Sequence, residues 1–127
     1  NQCKGACRVK VTYSTSTDQA KINEWCKECI KRKIHLENGL QIFSFMDSIS
    51  GVIVRVNGKN VPIIQKMTVA KVGGKIIGWS CLCYIYYVRV TAYVQQKYRR
   101  NGIGWKMVMK TRDKEKKFPV PSVFGKD

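Results

Sequence analysis

Alternation opens the chain. Over residues 8–13, Val9, Val11 and Tyr13 alternate with Arg8, Lys10 and Thr12, which predicts a strand with one wet face. The period then changes. Ile22, Trp25, Cys26, Cys29 and Ile30 recur at three- and four-residue spacing, as an amphipathic helix requires. Ser16 with Gln19 has the pattern of a capping box, Asp18 falls in the first turn, and Lys31, Arg32 and Lys33 close the last turn. A helix over residues 16–33 is expected. Residues 34–50 are less regular. Glu37-Asn38-Gly39 predicts a turn, and residues 40–49 fit either a short helix or an irregular strand. His35, the single histidine, has no acid nearby and reads as a surface or capping residue.

From residue 51 the pattern is β. Residues 51–56 predict a strand, Asn57-Gly58 a tight hairpin turn, and residues 61–64 the return. Residues 67–72 form the next strand, Gly73-Gly74 the next turn, and residues 75–85 the strand after it. The run from Cys83 to Val88 carries no turn residue, yet one strand cannot extend through it all, so a turn is placed near Tyr86. Residues 87–94 follow as a strand and residues 102–116 as a helix. Residues 118–124, Phe-Pro-Val-Pro-Ser-Val-Phe, read as an extended tail or edge strand. Neither a repeat nor a linker divides residues 1–127, and that length fits one domain with a core of its own.

Charge changes this picture more than composition does. Lys and Arg number 24 against 8 Asp and Glu, a net charge of +16. A balance that basic implies a polyanionic partner: nucleic acid, a phosphorylated cofactor or an acidic protein surface. No apolar run reaches the roughly 20 residues that span a membrane, and no signal-peptide pattern opens the sequence. An intracellular protein, cytoplasmic or a component of a virion, is therefore expected. Six cysteines fall as Cys3 and Cys7, Cys26 and Cys29, Cys81 and Cys83. Cys3, Cys7, Cys26 and Cys29 have spacing compatible with zinc. The local reading competes with it: Cys26 and Cys29 share the apolar helix face, and Cys81 and Cys83 share one side of a strand. Buried, reduced thiols and no metal are the expectation.

One segment carries chemistry. After the strand ending at Val94 comes Gln-Gln-Lys-Tyr98-Arg99-Arg100-Asn101-Gly102-Ile103-Gly104, then an amphipathic helix. Glycines at a helix start let the backbone approach a phosphate closely, first-turn N–H groups point at it, and Arg99 and Arg100 add charge-assisted bonds. On residue types alone this is an anion pocket.

The same residues resemble motif A of the GNAT superfamily of N-acetyltransferases. Arg99, Gly102 and Gly104 fall on its Arg-x-x-Gly-x-Gly positions, and Val94 and Tyr98 on its flanking apolar and aromatic positions. The order of elements from Val9 to Lys114 is also similar, although only residues 94–104 are specific. The resemblance implies an α+β fold: a mostly antiparallel central sheet flanked by helices, here without the family's usual C-terminal strands. It implies acetyl-CoA as cofactor, with Ala92, Tyr93 and Val94 along the pantetheine arm and Arg99, Arg100, Asn101, Gly102, Ile103 and Gly104 around the pyrophosphate. It leaves the catalytic residues open. The expected glutamate base is missing, because residues 67–94 contain no Asp or Glu. Tyr84, Tyr86, Tyr87 and Tyr93 lie on or beside those strands, and nothing singles one out. Two readings follow: transfer of an acetyl group to an amine, or a basic, non-catalytic protein of the same fold that binds nucleic acid or serves as a structural part of a larger assembly.

Overall fold

A computed structural model describes residues 10–34, 43–84 and 88–112. It shows a mixed α+β fold. Strands β1 (Thr12–Ser16), β4 (Ile64–Val72), β5 (Lys75–Tyr84) and β6 (Val88–Val94) form one antiparallel sheet in the order β1-β4-β5-β6. Helices α1 (Gln19–Lys31) and α2 (Phe43–Ile49) cover one face, and α3 (Ile103–Thr111) covers the other. Strands β2 (Ile53–Val56) and β3 (Lys59–Pro62) make a separate hairpin. Its turn has Asn57 at φ 52° and Gly58 at φ 79°, the left-handed pair that a two-residue hairpin needs.

Several boundaries differ from expectation. The first strand is Thr12–Ser16 rather than residues 8–13, of which residues 8 and 9 lie outside the described residues. Pairing with β4 decides this: Thr12 to Ser16 face Lys71 to Met67, and Thr15 Oγ1 lies 2.8 Å from Thr68 Oγ1. With Ser16 in the sheet, the helix starts later. Asp18 is the N-cap and accepts from the Ala20 N–H, while Ser16 Oγ accepts from the Asp18 N–H and shapes the entry. Helix α1 buries Ile22, Trp25, Cys26 and Cys29 but leaves Ile30 exposed. The short-helix alternative for residues 40–49 corresponds to α2. Helix α3 ends at Thr111 rather than at residue 116, because Arg112 is already extended. Its last buried residue is Thr111, and the charged run that follows offers no apolar side chain to the sheet. The expectations for His35, the turn at residues 37–39, the turn near Tyr86, Cys3, Cys7 and residues 118–124 lie outside the described residues. Tyr84, the last residue of β5, pairs with Val88, the first of β6.

The sheet has a different core on each face. Against α1 and α2 pack Trp25, Cys26, Cys29, Phe45, Met67, Val69, Ile76, Trp79, Cys81 and Cys83, all buried. Phe45 meets Trp79 edge-on at 4.9 Å between centroids. Against α3 packs a smaller set, Ala70, Ile77, Val94, Ile103 and Met107. Burying a side chain such as Ile103 or Met107 contributes about 1.5–3 kcal/mol. A bulge in the β4–β5 ladder beyond Ala70–Gly78 shifts the alternation by one residue, so that Ile76, not Ile77, shares the face of Trp79, Cys81 and Cys83, and Ile77 turns to α3. Thr111 fixes the end of α3: its hydroxyl lies 2.7 Å from Thr68 Oγ1, under the sheet.

Candidate functional site

Strand β6 is the edge of the described sheet. The Gln95 N–H donates to Ile77 O, which extends the β5–β6 register and identifies Trp79–Tyr93 and Cys81–Thr91 as the hydrogen-bonded pairs. The intervening residues, Ala92 and Val94, therefore direct their N–H and C=O groups away from β5. Among the described residues no strand lies on that side.

Past Val94 the chain turns sharply. A single 3₁₀ turn spans Gln96–Tyr98. Arg100 at φ 70° and Gly102 at φ 74° then hold left-handed backbone on either side of Asn101. Asn101 clamps this turn, its Nδ2 donating to Tyr98 O at 3.0 Å and lying 3.3 Å from Arg99 O. Helix α3 begins with Gly102 as N-cap, and no side chain caps it. Its first-turn N–H groups are thus left to main chain, water or ligand. Nothing lies within 4 Å of where a Cβ on Gly102 would stand. What this glycine supplies is its left-handed φ, rather than room against a neighbour. Gly104 is closer to β6: a Cβ there would meet Val94 Cγ2 at 3.5 Å.

These elements enclose an open cleft of about 400 Å³. Its lining contains Ala92, Tyr93, Val94, Arg99, Arg100, Gly102, Ile103 and Gly104, and therefore every sequence-predicted site residue except Asn101. Tyr98 completes it. Asn101 braces the turn from outside. Arg99 also differs from expectation. Its Nε donates to Val94 O at 2.6 Å and its guanidinium lies 5.3 Å from the centre of the Tyr93 ring. It ties the basic turn to the strand edge, while Arg100 stands exposed on the rim. From residue 88 to residue 112 the sequence has no Asp or Glu, so no fixed negative charge from this segment opposes an anion in the cleft.

Two contributors were not legible in the motif. Gly78 faces Val94 across the β5–β6 ladder, and a Cβ there would stand 2.9 Å from Tyr93 O and 3.1 Å from Met107 Cε. Only glycine lets α3 and β6 approach each other that closely. Tyr93 is backed by Trp79, with ring centroids 6.1 Å apart. The pairing of Gly78 with Val94 could have been anticipated only from the register.

The four described cysteines are buried thiols outside any disulfide, and they converge between α1 and β5. Burial raises the Cys26 thiol strongly, with Cys29 and Cys83 adding to it. Cys29 is pushed up to about 12, again by burial first and then by Glu28, with Arg32 opposing. Burial likewise raises Cys81, helped by its hydrogen bond to Cys83. Such thiols stay protonated and are poor nucleophiles. Among the described residues no group of three or more His, Cys, Asp or Glu side chains is arranged to hold a metal ion. No described helix is long and apolar enough to cross a membrane.

Fold and cleft together define a class: an antiparallel α+β sheet whose open edge strand runs into a basic, uncapped helix start. No family model, no curated protein and no solved structure matches the chain.

Proposed function

We propose that the cleft binds acetyl-CoA and that the protein transfers its acetyl group to an amine, as the resemblance of residues 94–104 to the GNAT motif implies. The observation that carries this reading is the gathering of Ala92, Tyr93, Val94, Arg99, Arg100, Gly102, Ile103 and Gly104 around one cleft. The donor set suits the cofactor. The uncapped start of α3 with Arg100 favours a diphosphate. The outward N–H and C=O of Ala92 and the outward N–H of Val94 suit an amide-bearing arm laid along the strand, while Val94 O is held by Arg99. When bound, the cofactor supplies an acyl group activated as a thioester. The chain contributes orientation and a main-chain N–H, that of Val94, able to hold a carbonyl oxygen. Strands β4 to β6 carry no carboxylate, so the amine proton leaves through a tyrosine hydroxyl or water. Tyr93 and Tyr98 are the tyrosines in the lining.

The test is calorimetric titration with acetyl-CoA and, in parallel, with duplex DNA. Trp105 gives an optical check, since it is 67% exposed on the first turn of α3 while Trp25 and Trp79 are buried. Gly102→Val is expected to abolish acetyl-CoA binding, because a β-branched residue resists left-handed backbone. Arg100→Ala is expected to weaken it about tenfold, near 1.4 kcal/mol. DNA affinity should be unchanged in Gly102→Val. Absence of acetyl-CoA binding at millimolar concentration would overturn the reading. The alternative, a non-catalytic basic protein on nucleic acid, is favoured by the +16 charge. It requires DNA affinity that falls steeply with salt.

A further inference from the structure

A second cleft, of about 640 Å³, opens at the β4–β5 hairpin end of the sheet. Three cations from separate parts of the chain line it: Arg32 just past α1, Lys75 at the start of β5, and Lys97 in the 3₁₀ turn. Among the described residues no Asp or Glu lines it. Glu28 is the carboxylate facing Arg32, at 3.2 Å, and it also accepts from the Ile76 N–H. Arg32 donates in addition to Ile76 O. That guanidinium is held in a fixed place, and the ammonium groups of Lys75 and Lys97 keep a surplus positive charge on the cleft. Two exposed ammonium groups beside an anchored guanidinium raise the positive potential of this concavity and attract an anion to it. Gln95 and Gln96 add amide donors to the same lining. Tyr93 and Tyr98 line both clefts and so form the wall between them.

We infer that this second cleft holds the anionic group of the acetyl acceptor, making the acceptor an amine that carries a phosphate or carboxylate. The inference rests on the acetyl-transfer reading for the acceptor's role, though not for the anion site itself. Because Tyr93 and Tyr98 line both clefts, an acceptor anchored by Lys75 and Lys97 reaches the cofactor cleft along these two side chains. A net charge of +16 is larger than one cofactor requires, and a second anion site beside the first accounts for part of it.

The experiment is a two-dimensional ¹⁵N–¹H titration of the whole chain with O-phosphoserine and with glutamate, and with spermidine as a cationic amine. Phosphoserine should give saturable shifts of the Lys75 and Gln95 to Lys97 amides, glutamate weaker ones at the same amides, and spermidine none. The double variant Lys75→Gln with Lys97→Gln, both exposed side chains, should keep the native spectrum and lose at least tenfold in phosphoserine affinity. Its acetyl-CoA affinity should change less than threefold. Shifts confined to residues 100–104, no shift at all, or equal affinity in the double variant would each overturn the inference. A chain that binds phosphoserine at Gln95 to Lys97 but fails to bind acetyl-CoA would retain the anion site and overturn its assignment to an acetyl acceptor.

Discussion

The two faces of the sheet are built to opposite specifications. The face under α1 and α2 is sealed with large rings and thiols, among them Trp25, Phe45, Trp79 and four cysteines, and it leaves no group poised for chemistry. The face under α3 has few buried apolar residues, a threonine network from Thr15 through Thr68 to Thr111, and the cleft at its edge. The difference separates two tasks. One face supplies most of the cohesion, so that the other can keep backbone groups and positive charge open to a ligand. Tyr93 is where they meet, stacked on Trp79 from one side and lining the cleft on the other.

The largest expected effect tests the sealed face. Trp79→Ala should lower the unfolding free energy by about 3–5 kcal/mol, measured by urea denaturation, since it empties the centre of that core. A loss below 1 kcal/mol would mean the two faces share the load. Gly78→Ala probes the other face. Its Cβ would press on the Tyr93 carbonyl and Met107, costing about 1–3 kcal/mol and displacing the strand edge. Acetyl-CoA affinity should fall along with stability, whereas a stable variant with full affinity would show that the close approach is dispensable.

The thiols give the sealed face a pH signature. A thiol whose folded pKa lies above its unfolded value contributes its full stability below the unfolded pKa, and that contribution is lost as pH rises toward the folded value. Cys26, Cys29 and Cys81 are all shifted upward from 9.0 by burial. Each should therefore remove about 1.4 kcal/mol per pH unit above pH 9, extending to about pH 12 for Cys29. Urea midpoints at pH 7, 9 and 10.5 should be level first and then fall, and Cys29→Ala should make the fall shallower. An unaltered slope in Cys29→Ala would place that thiol in water. The smallest effect belongs to the turn. Asn101→Ala should cost about 0.5–1.5 kcal/mol in stability through its lost bonds to Tyr98 and Arg99 carbonyls. It should weaken acetyl-CoA binding only by loosening the turn, without changing the salt dependence.

Much of this organisation is legible along the chain because its signals are local. Asn57-Gly58 and Gly73-Gly74 mark their turns by the positive φ they supply. The run from Val94 to Gly104 marks its cleft because strand end, basic turn and helix start are contiguous. What escaped depends on register and tertiary contact. Alternation cannot foresee that the bulge beside Gly78 breaks the phase, so that Ile76 rather than Ile77 joins Trp79, Cys81 and Cys83. Ser16 has the composition of an N-cap, but pairing with Met67 draws it into β1 and passes the cap to Asp18. Arg99 has the charge for a phosphate, yet its Nε is directed to Val94 O. Arg32, Lys75 and Lys97 are far apart in sequence, and only the packed hairpin brings them to one cleft.

The bond from Arg99 to Val94 has a consequence for how molecules of this chain meet one another. A sheet edge with outward main-chain groups is a template on which a foreign strand can zip. Along β6 that template stops at Val94, where a guanidinium already holds the carbonyl a new strand would need and places a positive charge beside it. Any strand from a second copy would approach a basic rim with a basic chain. Arg99 is in this sense a gatekeeper: it keeps the edge accessible to a small anionic ligand while discouraging the edge-to-edge growth that leads to aggregates.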